Sequence, residues 1–421
     1  MIKSFLTCLL AISFLLVAAQ EPDMVYYNNI QNIKLFRSGD QLSYPIVSLG
    51  ATDQLELHFD DREAGSKAYY YTWQLCNADW TPAMLNPVDY IRGFSQSRIL
   101  TYRNSSLALT RYTHYQQSLP DKGSMPSRSG NYLLKVFLNG DPQNLVFTRR
   151  VLVVQEQASV SIRLQQTFNP QLFQTHQKLV FTVDLKGLNV MNVPQQVTVC
   201  ALQNYRWDNK KSGLRPTFIR QNQLEFNNDQ DAVFPAGKDW RWLDLRSFRL
   251  QSDRVDSAQY GNTSTTIFVK PDLERASRRF VYYRDLGGRY YNETLDGVNP
   301  YWQGDYATVY FSFRPPGGLQ YTKDLYLFGE MTGYGSDPQA KLEFNKTTGL
   351  YETSVWLKQG YYDYVYALKN ADGSFSTDLT EGSYWETANT YSILVYYRAL
   401  GGRADELVSV GTIQSGLQSS Q

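Results

Sequence analysis

Ala307-Thr308-Val309-Tyr310-Phe311-Ser312-Phe313 runs into Pro315-Pro316-Gly317-Gly318. Ala307, Val309, Phe311 and Phe313 recur every second residue, the period of a strand with one buried face. The Pro-Gly run then breaks the ladder, since proline lacks an N–H and glycine accepts turn conformations. Asp324–Phe328, Tyr351–Leu357, Tyr361–Leu368 and Ser392–Tyr397 read as further strands, and Asp372-Gly373 marks a turn. The region is expected to be an all-β block.

The same reading extends towards the N-terminus. Gln54–Phe59, Tyr69–Leu75, Tyr132–Leu138 and Leu145–Val154 are expected strands, with a turn at Asn139-Gly140-Asp141-Pro142. Val160–Leu164, Lys178–Leu185, Gln196–Leu202, Ser264–Val269 and Phe280–Tyr283 form a second group. Pro271 to Arg279 reads as a short helix with proline in its first turn, and Asn292 to Gln303 as a linker. The expected fold is mostly β: three consecutive β-sandwich (immunoglobulin-like or early-set-like) domains after a signal peptide. Their expected bounds are 20–156, 157–300 and 301–413, with a polar tail at 414–421.

Composition agrees. The chain of 421 residues has 32 Tyr, 21 Phe and 8 Trp, types suited to half-buried pleated surfaces. The formal net charge is +1, which argues against non-specific nucleic-acid binding through a basic face. Lys3, the apolar run Phe5 to Val17 and the small residues Val17-Ala18-Ala19 read as a secretory signal over 1–19. No other apolar run is long enough to span a membrane. Cys8 lies inside the apolar run, a poor place for a lipoprotein cysteine. Cys76 and Cys200 remain; they fall in different expected domains and are read as buried free thiols.

Little in the chain points to chemistry. Its three histidines are His58, His114 and His176. His58 and Asp60 share a strand face, but no third ligand stands beside them, so no metal site is expected. There is no nucleophile elbow and no phosphate-cradling loop. Asp60, Asp61, Asp208 and Asp244 are too ordinary to mark paired catalytic carboxylates. The chain is expected not to be an enzyme and to need no cofactor. One internal echo remains: Val281-Tyr282-Tyr283-Arg284-Asp285-Leu286-Gly287-Gly288-Arg289 returns as Val395-Tyr396-Tyr397-Arg398-Ala399-Leu400-Gly401-Gly402-Arg403. It reads as a strand ending in a glycine turn, used twice, or as a repeated docking element.

Five segments carry a family resemblance. They are Leu42-Ser43-Tyr44-Pro45-Ile46 with Leu49-Gly50; Tyr69 to Trp73 running on to Asn77-Ala78-Asp79-Trp80; and Ser129 to Val136. Further on come Leu202 to Asn209, and Val233-Phe234-Pro235-Ala236-Gly237 followed by Asp239 to Ser247. Together they resemble the plug proteins of the type 9 secretion system, exported proteins of Bacteroidota. The resemblance implies a periplasmic plug that reversibly closes the periplasmic mouth of a very large outer-membrane translocon barrel while no cargo is carried. The barrel is the implied partner; the protein would be associated with the outer membrane through it and monomeric when free.

Leu325 to Gly329 with Met331-Thr332-Gly333-Tyr334 looks like the early-set sandwich of starch- and glycogen-binding modules, which usually place Trp where Tyr334 stands. This supports an alternative reading, a periplasmic or surface glycan-binding protein. For partner binding, Trp240, Arg241, Trp242, Asp244, Arg246 and Arg249 combine large contact area with planar charge, as interface hot spots do. Alternation puts Trp240, Trp242, Asp244, Arg246 and Phe248 on one side and Arg241, Leu243 and Leu245 on the other. The sequence leaves open which side is buried. Asn77-Ala78-Asp79-Trp80 and Arg206-Trp207-Asp208-Asn209 read as loop anchors. Asp256-Ser257-Ala258 fits a short O-glycosylation pattern.

Overall fold

The computed structural model describes residues 22–416. The expected signal peptide and most of the expected polar tail lie outside the described residues. The mostly β fold read from the sequence holds.

The first sandwich packs two sheets face to face. One runs Ile30–Arg37, Leu55–Asp61, Thr113–Leu119, Thr101–Asn104 in spatial order. The other runs Ile46–Ser48, Leu145–Val154, Gly130–Leu138, Tyr69–Cys76, Gln96–Arg98. Alternation decides what they bury: Leu55, Leu57 and Phe59 face Tyr69, Tyr71, Trp73, Tyr132 and Leu134 across one apolar core. Phe59 and Tyr115 stack at 5.1 Å, with Tyr69 edge-on to both, a favoured aromatic arrangement.

The rest of the chain departs from the expected order. Val197–Gln203 pairs with Thr390–Tyr397, which in turn pairs with Glu406–Gln414. This three-stranded sheet packs on the sheet of Ser159–Gln165, His176–Asp184, Gln223–Phe226 and Phe218–Arg220. Leu179, Phe181 and Val183 meet Val199, Ala201, Ile393 and Val395 in its core. The final strands therefore complete the second sandwich, and the segment between Pro235 and Thr390 is an insertion in it. The expected boundary at 300/301 fails for the same reason. Thr265–Val269 pairs in parallel with Tyr306–Arg314 inside the insertion. Strand patterns reveal local segments, whereas pairing between segments nearly 200 residues apart leaves no local signature.

The insertion forms one continuous sheet that bends through Lys341–Asn345. That strand pairs with both Leu325–Phe328 and Leu350–Lys358, so two halves close over Leu243, Val309, Phe311, Phe313, Leu327 and Tyr364. Three smaller expectations also change. Pro271 to Arg279 is not a helix; Asp272–Leu273 pairs with the Phe313–Arg314 end of a strand. Phe280 to Tyr283 is irregular. The expected linker packs on the first sandwich, where Tyr301 stacks on His58 at 4.2 Å.

Candidate interaction site

The aromatic–arginine segment enters the insertion as the strand Arg241–Asp244, antiparallel to Tyr361–Lys369. The side carrying Arg241, Leu243 and Leu245 is the buried one. Arg241 is accommodated there because every face of its guanidinium has a partner. Nε and Nη2 donate to Glu381 at 3.0 Å each, Nη1 to Asp272 at 2.7 Å and Nη2 to the Leu273 carbonyl at 2.7 Å. Arg254 adds a bond to Asp272 and Arg275 one to Glu381, both at 2.6 Å. Burial pushes both carboxyls up, yet Arg241, with Arg254 or Arg275, holds each below its ordinary pKa. A buried charge needs such pairing.

Trp240 lies just before the strand and also turns inward. Its backbone N–H donates to Asp285 Oδ2 at 2.7 Å, and its ring stacks on Phe328 at 6.4 Å. Gly288 (φ +84°) passes so close that a Cβ there would sit 2.5 Å from the ring. Trp240 and Arg241 are thus buried structural residues, a correction to their expected place at a partner surface. Phe248 is buried as well, because the strand ends at Asp244 and the alternation ends with it.

The other residues form a half-exposed strip. Trp242 stacks with Tyr361 at 6.1 Å, and Tyr361 with Tyr291 at 5.8 Å. Arg246 lies over Tyr361 at 5.8 Å and is held by Asp244 at 2.7 Å and Glu293 at 2.9 Å. Arg249 is exposed. Sequence reasoning missed Tyr291 and Tyr361, which come from other strands and join Trp242 only through pairing with Tyr361–Lys369.

The other motif segments meet at the seam between the two sandwiches. Trp80 and Trp207 pack edge to face at 4.9 Å, with Arg150 over both rings at 4.9 and 5.0 Å. Tyr44 stacks on Tyr205 at 4.5 Å, and Arg289 lies over Tyr44 at 5.0 Å. Asp405 accepts the Ala78 N–H at 2.9 Å, while Arg398 bonds both Asp405 and Asn77. The two loop anchors are halves of one joint. The nonapeptide echo serves two different purposes. Its first copy is irregular chain over Trp240 and Tyr44, whereas its second begins in a strand and delivers Arg398 to the seam.

A second joint ties the first sandwich to the insertion. Lys34 Nζ donates to both Glu330 oxygens at 2.8 Å and to the Tyr290 carbonyl at 2.9 Å. Asp60 accepts from His114 Nδ1 at 2.6 Å, from Lys358 Nζ at 2.6 Å and from the Tyr306 hydroxyl. His58 and Asp60 do lie in one cluster, but the position a metal would take beside Asp60 holds the Lys358 ammonium. Tyr334 leans on Phe328 at 5.5 Å beneath Arg206, so its ring is taken up by packing. Cys76 and Cys200 are buried and unbridged. Burial pushes the Cys76 thiol up to about 12.

Comparison with known proteins agrees with the fold. No curated protein matches the sequence. A crystal structure of a hypothetical protein from Parabacteroides merdae superposes with a TM-score of 0.89 and 29% identity, over 94% of this chain and 100% of that one. Residues 30–155 match the family described as the type 9 secretion system plug protein 1st domain. They span the first sandwich, from Ile30 to the end of its last strand. The first sandwich of this chain thus matches, in sequence, the first domain of the type 9 secretion system plug family.

Proposed function

We propose that the protein is a periplasmic plug of the type 9 secretion translocon, closing the inner mouth of its large outer-membrane barrel when no cargo is carried. The family match to residues 30–155 ties the chain to type 9 secretion. The observation that carries the finer reading is the joining of all three β units. Tyr205 and Trp207 of the second sandwich, and Lys358, Tyr306 and Glu330 of the insertion, are each fixed to the first. A wide aqueous pore is stopped by bulk that does not deform, and three sandwiches joined by buried polar contacts supply it.

The half-exposed strip Trp242, Asp244, Arg246 and Arg249 is the proposed barrel contact, with Tyr291 and Tyr361 completing it. Release must be reversible, which suits a standard interface of roughly 1,200–2,000 Å². Engaged cargo would shift the population towards the unplugged state. Among the described residues no helix is long and apolar enough to cross a membrane, so outer-membrane association would run through the partner.

The test is recovery of partners by tagged chain from detergent-solubilised outer membranes, with identification by mass spectrometry. One very large barrel protein, lost when cargo is engaged, is expected. Recovery of no membrane protein would overturn the reading and return attention to glycan binding.

A further inference from the structure

The first sandwich leaves one margin open. Gln96–Arg98 ends one of its sheets and Thr101–Asn104 ends the other. Only Ile99 and Leu100 separate them, so both unpaired edges lie on the same side. The Ser105 N–H donates to the Tyr112 carbonyl at 2.8 Å. By the alternation of an antiparallel ladder, Arg103 then faces the Thr113–Leu119 strand, while Tyr102 and Asn104 turn their N–H and C=O outward. No described strand pairs with that outer side.

Natural edges are usually blunted by proline, bulges or a covering loop. Here both edge strands are short and carry an arginine, and another loop meets the chain just after Asn104, where the Ser106 N–H donates to the Trp302 carbonyl at 2.9 Å; the rest of the margin is flanked by Phe94, Leu100 and Leu107, which are 73%, 70% and 76% exposed. The segment's own charge is one-sided, and the carboxylate the structure brings to it, Asp305, is bonded to the Leu109 and Thr110 N–H groups at 3.1 and 3.0 Å. From Tyr90 to Pro120 there is no Asp or Glu, but there are Arg92, Arg98, Arg103 and Arg111. Arg103 is spent on Trp302, over whose ring it sits at 4.5 Å. Arg92, Arg98 and Arg111 are exposed and have no ion-pair partner among the described residues.

We propose that this margin is a docking site for an extended acidic segment of a partner protein, which adds as a strand to Thr101–Asn104. Strand addition draws affinity from main-chain bonds and specificity from side-chain contacts beside them. The three free arginines select for Asp and Glu, and the exposed apolar residues select for alternating apolar side chains. An anionic membrane surface would satisfy the arginines but would leave the outward N–H and C=O groups of Tyr102 and Asn104 without use. The site is separate from the Trp242 strip, so its failure leaves the plug reading untouched.

The test places the photo-cross-linker p-benzoylphenylalanine at Leu100 or Leu107 of the full chain, in the native cell, and sequences the adducts. The expected adducts are peptides rich in Asp and Glu. Replacing Arg92, Arg98 and Arg111 together by Glu should lower their yield by about tenfold or more, since three attractions are lost and each reversal adds repulsion. Tyr102→Pro removes one outward N–H and should do the same while the melting temperature is kept. If Tyr102→Pro does not fold, the triple arginine variant decides. Adducts to lipid, to a second copy of the chain or to segments without acidic excess would overturn the proposal. So would unchanged yield in the triple variant, or no adduct at all.

Discussion

Asp60 Oδ2 accepts a hydrogen bond from Lys358 Nζ at 2.6 Å, with both side chains fully buried and 298 positions apart in sequence. One belongs to the first sandwich and the other to the insertion, so the pair is a joint rather than an element of either core. His114, on Oδ1, and the Tyr306 hydroxyl, on Oδ2, are its other hydrogen-bond partners. Burial pulls the Lys358 pKa down, and Asp60 opposes this. A buried pair of this kind adds little over an apolar isostere, but half of one is costly. Lys358→Met is expected to destabilise the protein by about 3–5 kcal/mol. The double variant Lys358→Met with Asp60→Asn should recover part of that loss. Denaturant unfolding of the two variants and the parent checks it; equal losses for single and double variants would show that the charges are not coupled.

The same joint sets an acid limit. His58 Nδ1 and His114 Nε2 lie 3.0 Å apart, and Glu56 Oε2 is 3.3 Å from His58 Nε2. Tyr301 and Phe36 cover the His58 ring, and Asp60 and Lys358 face His114. Burial, then the neighbouring His114, pulls His58 down from 6.5 to about 4. His58 is therefore neutral in the fold over a range where the unfolded chain takes up a proton. Stability falls as pH drops from 6.5 towards 4. Asp60, held below 3.8 by Lys358 and His114 against its burial, withdraws a further contribution below that value. Burial lowers His114 from 6.5 as well, so His58→Phe, which keeps the stack on Tyr301, should reduce the pH slope of the melting temperature over the upper window without removing it.

A carboxyl at the base of the aromatic–arginine segment has the opposite sign. Asp239 is buried beside Asp285, and burial followed by that neighbour raises it from 3.8 to about 7. Its folded pKa lies above its unfolded one, so stability is lost as pH rises from 3.8 through about 7. Asp239→Asn is expected to raise the melting temperature near pH 8 and to change it little near pH 4, with the gain growing between. A constant gain at all pH values would assign the effect to packing instead.

Much of this architecture was legible, and the exceptions have one cause. Ala307 to Phe313 is readable from its local alternation and Leu145–Val154 from its local β-branched and apolar run, and the observed strands cover both. Asn77 to Trp80 and Arg206 to Asn209 each read as an anchor, but nothing in either segment says that Trp80 meets Trp207. The insertion was missed because Val197–Gln203 looks the same whether its partner is a neighbour or Thr390–Tyr397. Arg241 was the hardest residue. Alone, an arginine reads as surface, and only Asp272 and Glu381, brought in by distant chain, make it a buried one. Nothing in the sequence places His114 with Asp60, because the tie crosses between two strands.

The aromatic–arginine segment separates into two classes of residue that substitution should tell apart. Trp240 and Arg241 are buried, with Gly288 pressed against the one and two carboxylates around the other. Trp240→Ala is expected to cost about 3–5 kcal/mol, the range for a buried aromatic. Arg241→Met should cost a similar amount, because it leaves Asp272 and Glu381 with less positive charge among buried groups. Trp242 and Arg246 sit on the outer strip, where Arg246 already shares its charge with Asp244 and Glu293. Trp242→Ala with Arg246→Ala should move the melting temperature little and reduce recovery of the barrel protein. Loss of fold in that outer pair would make the whole segment structural and place the barrel contact elsewhere on the molecule. Unchanged recovery with an intact fold would remove the strip from the proposed interface while leaving the joined three-part body as the proposed stopper.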